Sequence, residues 1–307
     1  MRVATLTAAH GKEDLGYEVI RCPSPFQLLS LARWCDVYFQ NNISLNLGWP
    51  LLFVHRPWVV AHHTYIARTD LSLGFRDHVK RYLLRFASNI SISEPMAKSL
   101  PVPSVIIGNP YDDRLFRCDP DVPRTRELLF VGRLVSDKGV NLLLDAIIAL
   151  KAGNLRPQLT IVGEGPEFPA LQQMVLANDL EEQVQFLGYK TGQTLVDLLN
   201  RHSIMVVPSR WPEPFGLVAI EGIACGCVIV GSKGGGLKEA IGACGATFPN
   251  NSVEGLCDVL RDLLTHPDKL RAFRRNAETH LAKYRRVVAA RRYLEMMTRA
   301  LSREGTA

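Results

Sequence analysis

From residue 128 onward, short apolar runs alternate with stretches whose apolar residues recur every three to four positions. Residues 128–131, 159–162, 184–187, 204–207 and 228–230 are the short runs, as expected of strands covered on both faces. Between them, 140–150, 166–177, 191–200 and 216–225 have helical spacing, and Pro166 reads as a residue near a helix start. This alternation predicts an α/β fold with a parallel, doubly wound sheet. The first part repeats the scheme less tidily: 3–6, 18–20, 37–39, 58–61, 90–93 and 105–107 read as strands, and 27–33, 75–87 and 94–100 as helices. Apolar positions 75, 79, 82, 83 and 86 form a stripe on a basic helix. That stripe predicts packing into the first domain, with contact to an anionic membrane surface as the second reading.

A chain of 307 residues exceeds the usual size of one core and predicts two domains. The polar, proline-punctuated stretch 117–123 sets the expected boundary. The expected division is 1–122, 123–283, and a basic C-terminal helix over 284–307 able to cross back to the first domain. No apolar run reaches membrane-span length, and the opening residues lack a signal-peptide core, which predicts a cytoplasmic protein, at most peripheral to the inner face of the membrane. Seven cysteines without CxxC or Cys/His spacing predict reduced thiols and no metal site. The net charge of +6 is lopsided: residues 266–304 hold eleven basic and four acidic side chains. A solvated charged face is the plain account, and anionic lipid the next. Without interleaved stacking aromatics, no nucleic-acid partner is expected.

Candidate chemistry collects at strand ends. Glu213 and Glu221 lie eight residues apart across the turn after 204–207. Glu213 falls in a loop at the carboxyl end of a parallel strand, where open sheets bind ligands. Glu221 falls about two turns into the next helix, whose opening amides around Phe215, Gly216 and Leu217 suit an anion. Taken singly, a helix-start glutamate is a dipole partner and a helix-borne one a solvated charge. Gly132, Arg133 and Lys138 follow the 128–131 strand, with cations spaced to neutralise a diphosphate or merely to solvate a loop. Gly163 and Glu164 close the next strand, and 234–236 is a third glycine loop. Their joint placement at one sheet edge favours a binding site over chance.

Several segments together resemble family 4 of the retaining glycosyltransferases, which have the GT-B fold. They are Val131-Gly132-Arg133 with Lys138-Gly139, Gly163-Glu164-Gly165-Pro166, Phe186-Leu187-Gly188-Tyr189, Val207-Pro208-Ser209, and 213–221. Ala224 to Ile229, Gly234-Gly235-Gly236 with Glu239, and Ile107 to Asp112 with Phe116 extend the likeness over roughly 90–300. It implies two Rossmann-like domains facing a central cleft, and transfer of a sugar from a UDP- or GDP-sugar to a glycan or lipid-linked acceptor in polysaccharide or envelope-glycan assembly. It further implies no metal and no cofactor beyond the donor. Arg133 and Lys138 would bind the diphosphate, Glu213 the sugar hydroxyls and Glu221 the ribose. Backbone at 215–217 would meet sugar and phosphate, and Leu187-Gly188 would lie by the base. His63 resembles the family's strand-end histidine near the reacting sugar. Asp119-Pro120-Asp121 has the Asp-x-Asp form used by metal-dependent glycosyltransferases of another fold, but in a proline-rich linker it reads as coincidence. The family's glycine-rich opening is not matched before Met1, so the first domain reads as shortened. Two alternatives stay open: a non-catalytic nucleotide-binding remnant or partner subunit, and a sugar-nucleotide epimerase of the same fold.

Overall fold

The computed structural model describes residues 1–8, 16–67 and 72–304, except the side chains of Arg303 and Glu304. Those two belong to the basic stretch counted above, and their side chains lie outside what is described. Two compact units emerge: Met1–Ser91, Ser99–Val105 and Tyr293–Ala307 form the first, and Ile92–Lys98 with Ile106–Arg292 the second. The division thus falls between Val105 and Ile106 and not at 122. The reason is burial: Ile92, Tyr111 and Phe116 sit in the second unit's core, and Arg286 clamps Asp112 and Asp113 at 3.1 and 2.9 Å. The polar stretch after them is a surface turn of that unit, with the Asp119 amide donating to Asn200 Oδ1 at 2.8 Å and the Asp121 amide to Asp119 Oδ1 at 3.0 Å.

In the first unit, β1 (Arg2–Thr5) and β2 (Glu18–Arg21) pair in parallel. β3 (Tyr38–Asn41), β4 (Trp58–His62), β5 (Ser88–Ser91) and β6 (Val105–Ile106) form a four-stranded sheet in that order. Helix Pro25–Trp34 starts on a capping box: the Gln27 amide donates to Ser24 Oγ at 3.3 Å, and the Ser24 amide to Gln27 Oε1 at 2.9 Å. Ile43, Val60, Ile66, Leu84 and Leu100 pack as its core. The helix expected over 75–87 ends at Leu83 and tightens to a 3-10 turn over Leu84–Phe86. Asn89 is the cause, its amide donating to the Leu84 and Ala87 carbonyls at 3.0 and 2.9 Å. The apolar stripe packs only in part: Leu83 lies against this core and Val79 is half-buried, but Phe75, Tyr82 and Phe86 are 83%, 56% and 67% exposed, and the fully buried residue is Leu84, outside the stripe.

The second unit carries β7 (Arg126–Val131), β8 (Leu159–Val162), β9 (Val184–Phe186), β10 (His202–Val207), β11 (Val228–Ser232) and β12 (Gly245–Phe248). All are parallel, in the order β12-β11-β10-β7-β8-β9. The side-chain period of two explains the apolar runs. Leu128, Phe130, Ile204, Val206, Val228 and Val230 face one core with helices Val140–Ala152 and Val253–Thr265. Leu129, Met205, Val207 and Ile229 face the other, with helix Leu217–Ala224. One start shifts: the helix expected from Pro166 begins at Phe168, with Pro169 as its early proline.

Candidate active site

The strand order reverses direction between β7 and β10, so the crevice of an open α/β sheet lies at their carboxyl ends. Residues Ser136–Lys138 after β7 form a 3-10 turn, capped by Gly139 at φ +69°. The Asp137 carbonyl accepts the Arg210 and Trp211 amides at 2.8 and 3.3 Å, which docks the loop after β10 onto this turn. Only glycine fits at 139: a Cβ there would stand 2.1 Å from the Pro208 carbonyl oxygen. The result is a direct pairing of Lys138 with Glu213, Nζ to Oε1 at 2.5 Å, with the two side chains 25% and 15% exposed.

Glu213 is held from several sides. Ser209 Oγ donates to the same Oε1 at 2.6 Å, and Ser232 Oγ fixes the Ser209 carbonyl at 2.7 Å. The Gly236 amide donates to the Glu213 carbonyl at 2.7 Å, and Gly235, at φ +65°, bridges Glu213 so closely that a Cβ would meet its carbonyl oxygen at 2.1 Å. The glycine loop 234–236 is therefore a backrest for the glutamate. Ser93 Oγ donates to the Pro214 carbonyl at 2.6 Å, extending the support.

Gly216 (φ +106°) precedes helix Leu217–Ala224, whose first residue is exposed. The Phe215 ring is buried and packs edge-on against Tyr284 at 5.4 Å, so only its backbone is available to a ligand. Glu221, one face further along, is half-buried, and burial pushes its carboxyl up to about 7.

On the other side of β7 the glycines bring backbones together. The Gly132 amide donates to the Val162 carbonyl at 3.0 Å, and Gly163 (φ +146°) would place a Cβ 1.8 Å from the Gly132 oxygen. The Gly163 amide donates to the Gly188 carbonyl at 2.9 Å, and the Leu187 amide to Ile161 at 2.9 Å, so the β9 end joins the same edge. Glu164 Oε1 accepts the Tyr189 amide at 3.3 Å. Arg133 is exposed, and among the described residues no ion pair or hydrogen bond engages its guanidinium. It borders a cavity of about 240 Å³ with Gly132, Gly163 and Glu164, together with Tyr189 and Lys190.

Of the residues the sequence singles out, Gly132, Arg133, Lys138, Gly163, Glu164, Leu187, Gly188, Glu213, Phe215, Gly216, Leu217 and Glu221 all lie in the second unit. The sequence does not foresee that Lys138 and Glu213 are each other's partners, nor the contacts made by Ser209, Ser232 and Asp137. Ser209 stands in a matched motif, and its spacing of four from Glu213 is the signal that could have found it. His63 belongs to the first unit, just past β4, with its amide donating to Asn42 Oδ1 at 2.7 Å. Its neighbour His62 is buried, with Nε2 3.0 Å from Asn89 Oδ1, and burial lowers its pKa.

Residues 120–280 match the family described as glycosyl transferases group 1. The chain is 38% identical over 149 residues to the glycogen synthase of Mycobacterium tuberculosis, covering 47% of this chain and 36% of that protein. It is 32% identical over 170 residues to the D-inositol 3-phosphate glycosyltransferase of Corynebacterium jeikeium, covering 52% and 40%. The chain therefore spans well under half the length of these relatives. In fold it resembles HepE of Anabaena in complex with UDP, with a TM-score of 0.79 at 20% identity over 92% of this chain and 86% of that one. The sucrose-phosphate synthase of Thermosynechococcus elongatus gives 0.75 at 20% identity, over 95% and 85%. These likenesses identify the GT-B fold. With the group 1 match spanning more than half of its residues, the chain belongs to the glycosyl transferases group 1 family.

Proposed function

We propose that the protein is a retaining, metal-independent glycosyltransferase that moves a sugar from a nucleoside diphosphate sugar to a glycan or lipid-linked acceptor. UDP is the favoured donor nucleotide, because HepE of Anabaena is described in complexes with UDP, glucose and UDP-glucose. The observation that carries the reading is the Lys138–Glu213 pair at the topological switch point, flanked by the unpaired Arg133 and a glycine-opened helix start.

The chemistry follows from charge. As the glycosidic bond breaks, negative charge grows on the departing diphosphate. Arg133 offers a planar guanidinium fork, Lys138 a point charge, and the amides after Gly216 partial positive charge. Groups fixed before reaction stabilise developing charge without reorganising. In the resting site Glu213 already neutralises Lys138. A bound donor divides the pair: its sugar hydroxyls donate to Glu213, and its phosphate oxygens draw on the ammonium. Glu221 accepts from the ribose hydroxyls. The exposed Phe75, Tyr82 and Phe86, beside Arg76 and Arg85, suit a peripheral site on an anionic membrane, where a lipid-linked acceptor would be met.

Glu213→Ala and Arg133→Ala are expected to lower donor-dependent product formation by about a hundred-fold or more, the scale of losing one preorganised charge partner. The two should differ in binding. Arg133→Ala weakens UDP in calorimetry, whereas Glu213→Ala frees Lys138 and leaves UDP affinity equal or better. Normal turnover in both variants would remove the assigned roles, and undiminished activity after chelation with EDTA is required of a metal-independent reaction.

A further inference from the structure

A second cavity, of about 600 Å³, opens in the second unit at the amino ends of β11 and β12, the sheet edge opposite the candidate active site. Its floor is apolar, formed by the buried Phe116, Ile223 and Leu281. Its walls carry four arginines, 117, 274, 275 and 285, against two acids, Asp113 and Glu278. Asp113 is already engaged by Arg286, which lies outside the lining, at 2.9 Å. Arg117, Arg275 and Arg285 are exposed, and among the described residues none of them is paired with a carboxylate.

The ground beneath the walls is cationic too. Arg274 is half-buried and donates only to backbone, to the Gly226 and Ser203 carbonyls at 2.9 and 3.3 Å. Arg124 donates to the Leu199, His202 and Cys225 carbonyls at 3.2, 2.6 and 2.5 Å. Burial first, and then the neighbouring Arg124 charge, lower the pKa of Arg274. Guanidinium groups without a counter-ion, above an apolar floor, describe the complement of one kind of ligand: a doubly charged head on a small organic body.

We propose that this cavity binds a small phosphomonoester. Arg117, Arg275 and Arg285 hold the phosphate, and Phe116, Ile223 and Leu281 receive the organic part. A phosphomonoester carries nearly two negative charges at neutral pH, which matches the two-charge excess of the walls, and guanidinium forks meet its oxygens in pairs. A carboxylate would leave half of that excess unmet. The cavity is separated from the active-site edge by the length of the strands, roughly 15–20 Å at ~3.3 Å per residue, so the two sites can be filled together.

The test uses the whole protein, saturated with UDP, titrated by calorimetry with phenyl phosphate, inorganic phosphate and phenol. Phenyl phosphate is expected to bind at least about tenfold more tightly than either fragment, because it alone satisfies both floor and walls. Arg275→Glu and Arg117→Glu, at exposed positions, are each expected to weaken it at least about tenfold while leaving UDP affinity unchanged. Cys118, an exposed thiol in the lining, gives a second readout: phenyl phosphate should slow its alkylation in the native protein and not in Arg275→Glu. Vesicles containing phosphatidate separate two sources of the same chemistry. Retention of the native protein that phenyl phosphate displaces places the monoester on a lipid, and lack of retention makes it a free metabolite. Absent binding, equal binding in the native and charge-reversed proteins, or binding that appears only when UDP is withheld would each overturn the proposal.

Discussion

The two units use the same parallel strand–helix grammar and reach different degrees of completeness. In the second, six strands bury alternate residues into cores on both faces, and even its loops interlock through carbonyl contacts that only glycine allows. In the first, a small described core packs against the four-stranded sheet, and the separate two-stranded pair contributes no residue to it. Phe26, Leu52, Phe53 and Phe75 stand largely in solvent there. A fully covered sheet can hold charged side chains rigidly at its edge, because the backbone that presents them cannot shift without opening a core. The thinner unit cannot do so by itself, and its exposed aromatics are free for another surface.

Core truncation gives the largest expected effect on stability. Leu128 and Leu84 are both fully buried, one in each unit. Each Leu→Ala change is expected to cost about 3 kcal/mol locally. Scanning calorimetry should show Leu84→Ala lowering an early transition and Leu128→Ala a later one, as units with unequal cores melt apart. One transition shifted alike by both would erase the distinction between the units.

Gly139→Ala tests the rigidity of the second unit's edge. The left-handed backbone and the approach to the Pro208 carbonyl should together cost about 2–3 kcal/mol, measured by urea unfolding. Because the same turn presents Lys138, UDP affinity should fall with stability. A neutral substitution would mean that the loops are looser than their contacts imply.

Glu221 gives a pH-dependent effect. Its folded carboxyl titrates at about 7, against ~4.3 for a free glutamate. Between those values the native state keeps a proton that the unfolded state has lost, so the group lowers stability as pH rises through that window, fully so above 7. Glu221→Gln should therefore stabilise by about 2 kcal/mol at pH 8, a figure discounted for partial exposure, and by nothing at pH 4. Equal stability of the two proteins at pH 8 would remove the burial penalty. In the native protein UDP affinity should rise from pH 6 to 8, because ribose hydroxyls prefer the ionised acceptor, and Glu221→Gln should flatten that rise.

Phe75→Ser and Tyr82→Ser carry the smallest expected change in stability, within about 0.5 kcal/mol, because exposed side chains there support no core. Retention on anionic vesicles should nonetheless drop. A large loss of stability would return the stripe to a packing role.

Much of the fold was readable because buried parallel strands leave an apolar run whatever their neighbours are. Five of the six strands of the second unit, the helix after Gly216 and the loops at the strand ends follow from period, glycine and proline alone, while β12 (Gly245–Phe248), with only one fully buried residue, leaves no such run. The readings that failed depended on what lies opposite in space. The division of the chain moved from 122 to 105 because Tyr111 and Phe116 are covered by the second unit's core, which no local pattern reveals. The stripe at 75–86 has helical spacing, yet its burial is decided by Leu84 and by the Asn89 caps.

The site divides in the same way. Residue types and spacing marked Arg133, Lys138, Glu213 and Glu221, since loop glycines and charges at strand ends are local features of sequence. Only the tertiary structure joined Lys138 to Glu213, turned Ser209 toward the shared oxygen and buried Glu221 enough to shift its titration. Periodicity is a property of neighbours along the chain, whereas pairing and desolvation depend on neighbours across it, and strand order is what brings those together.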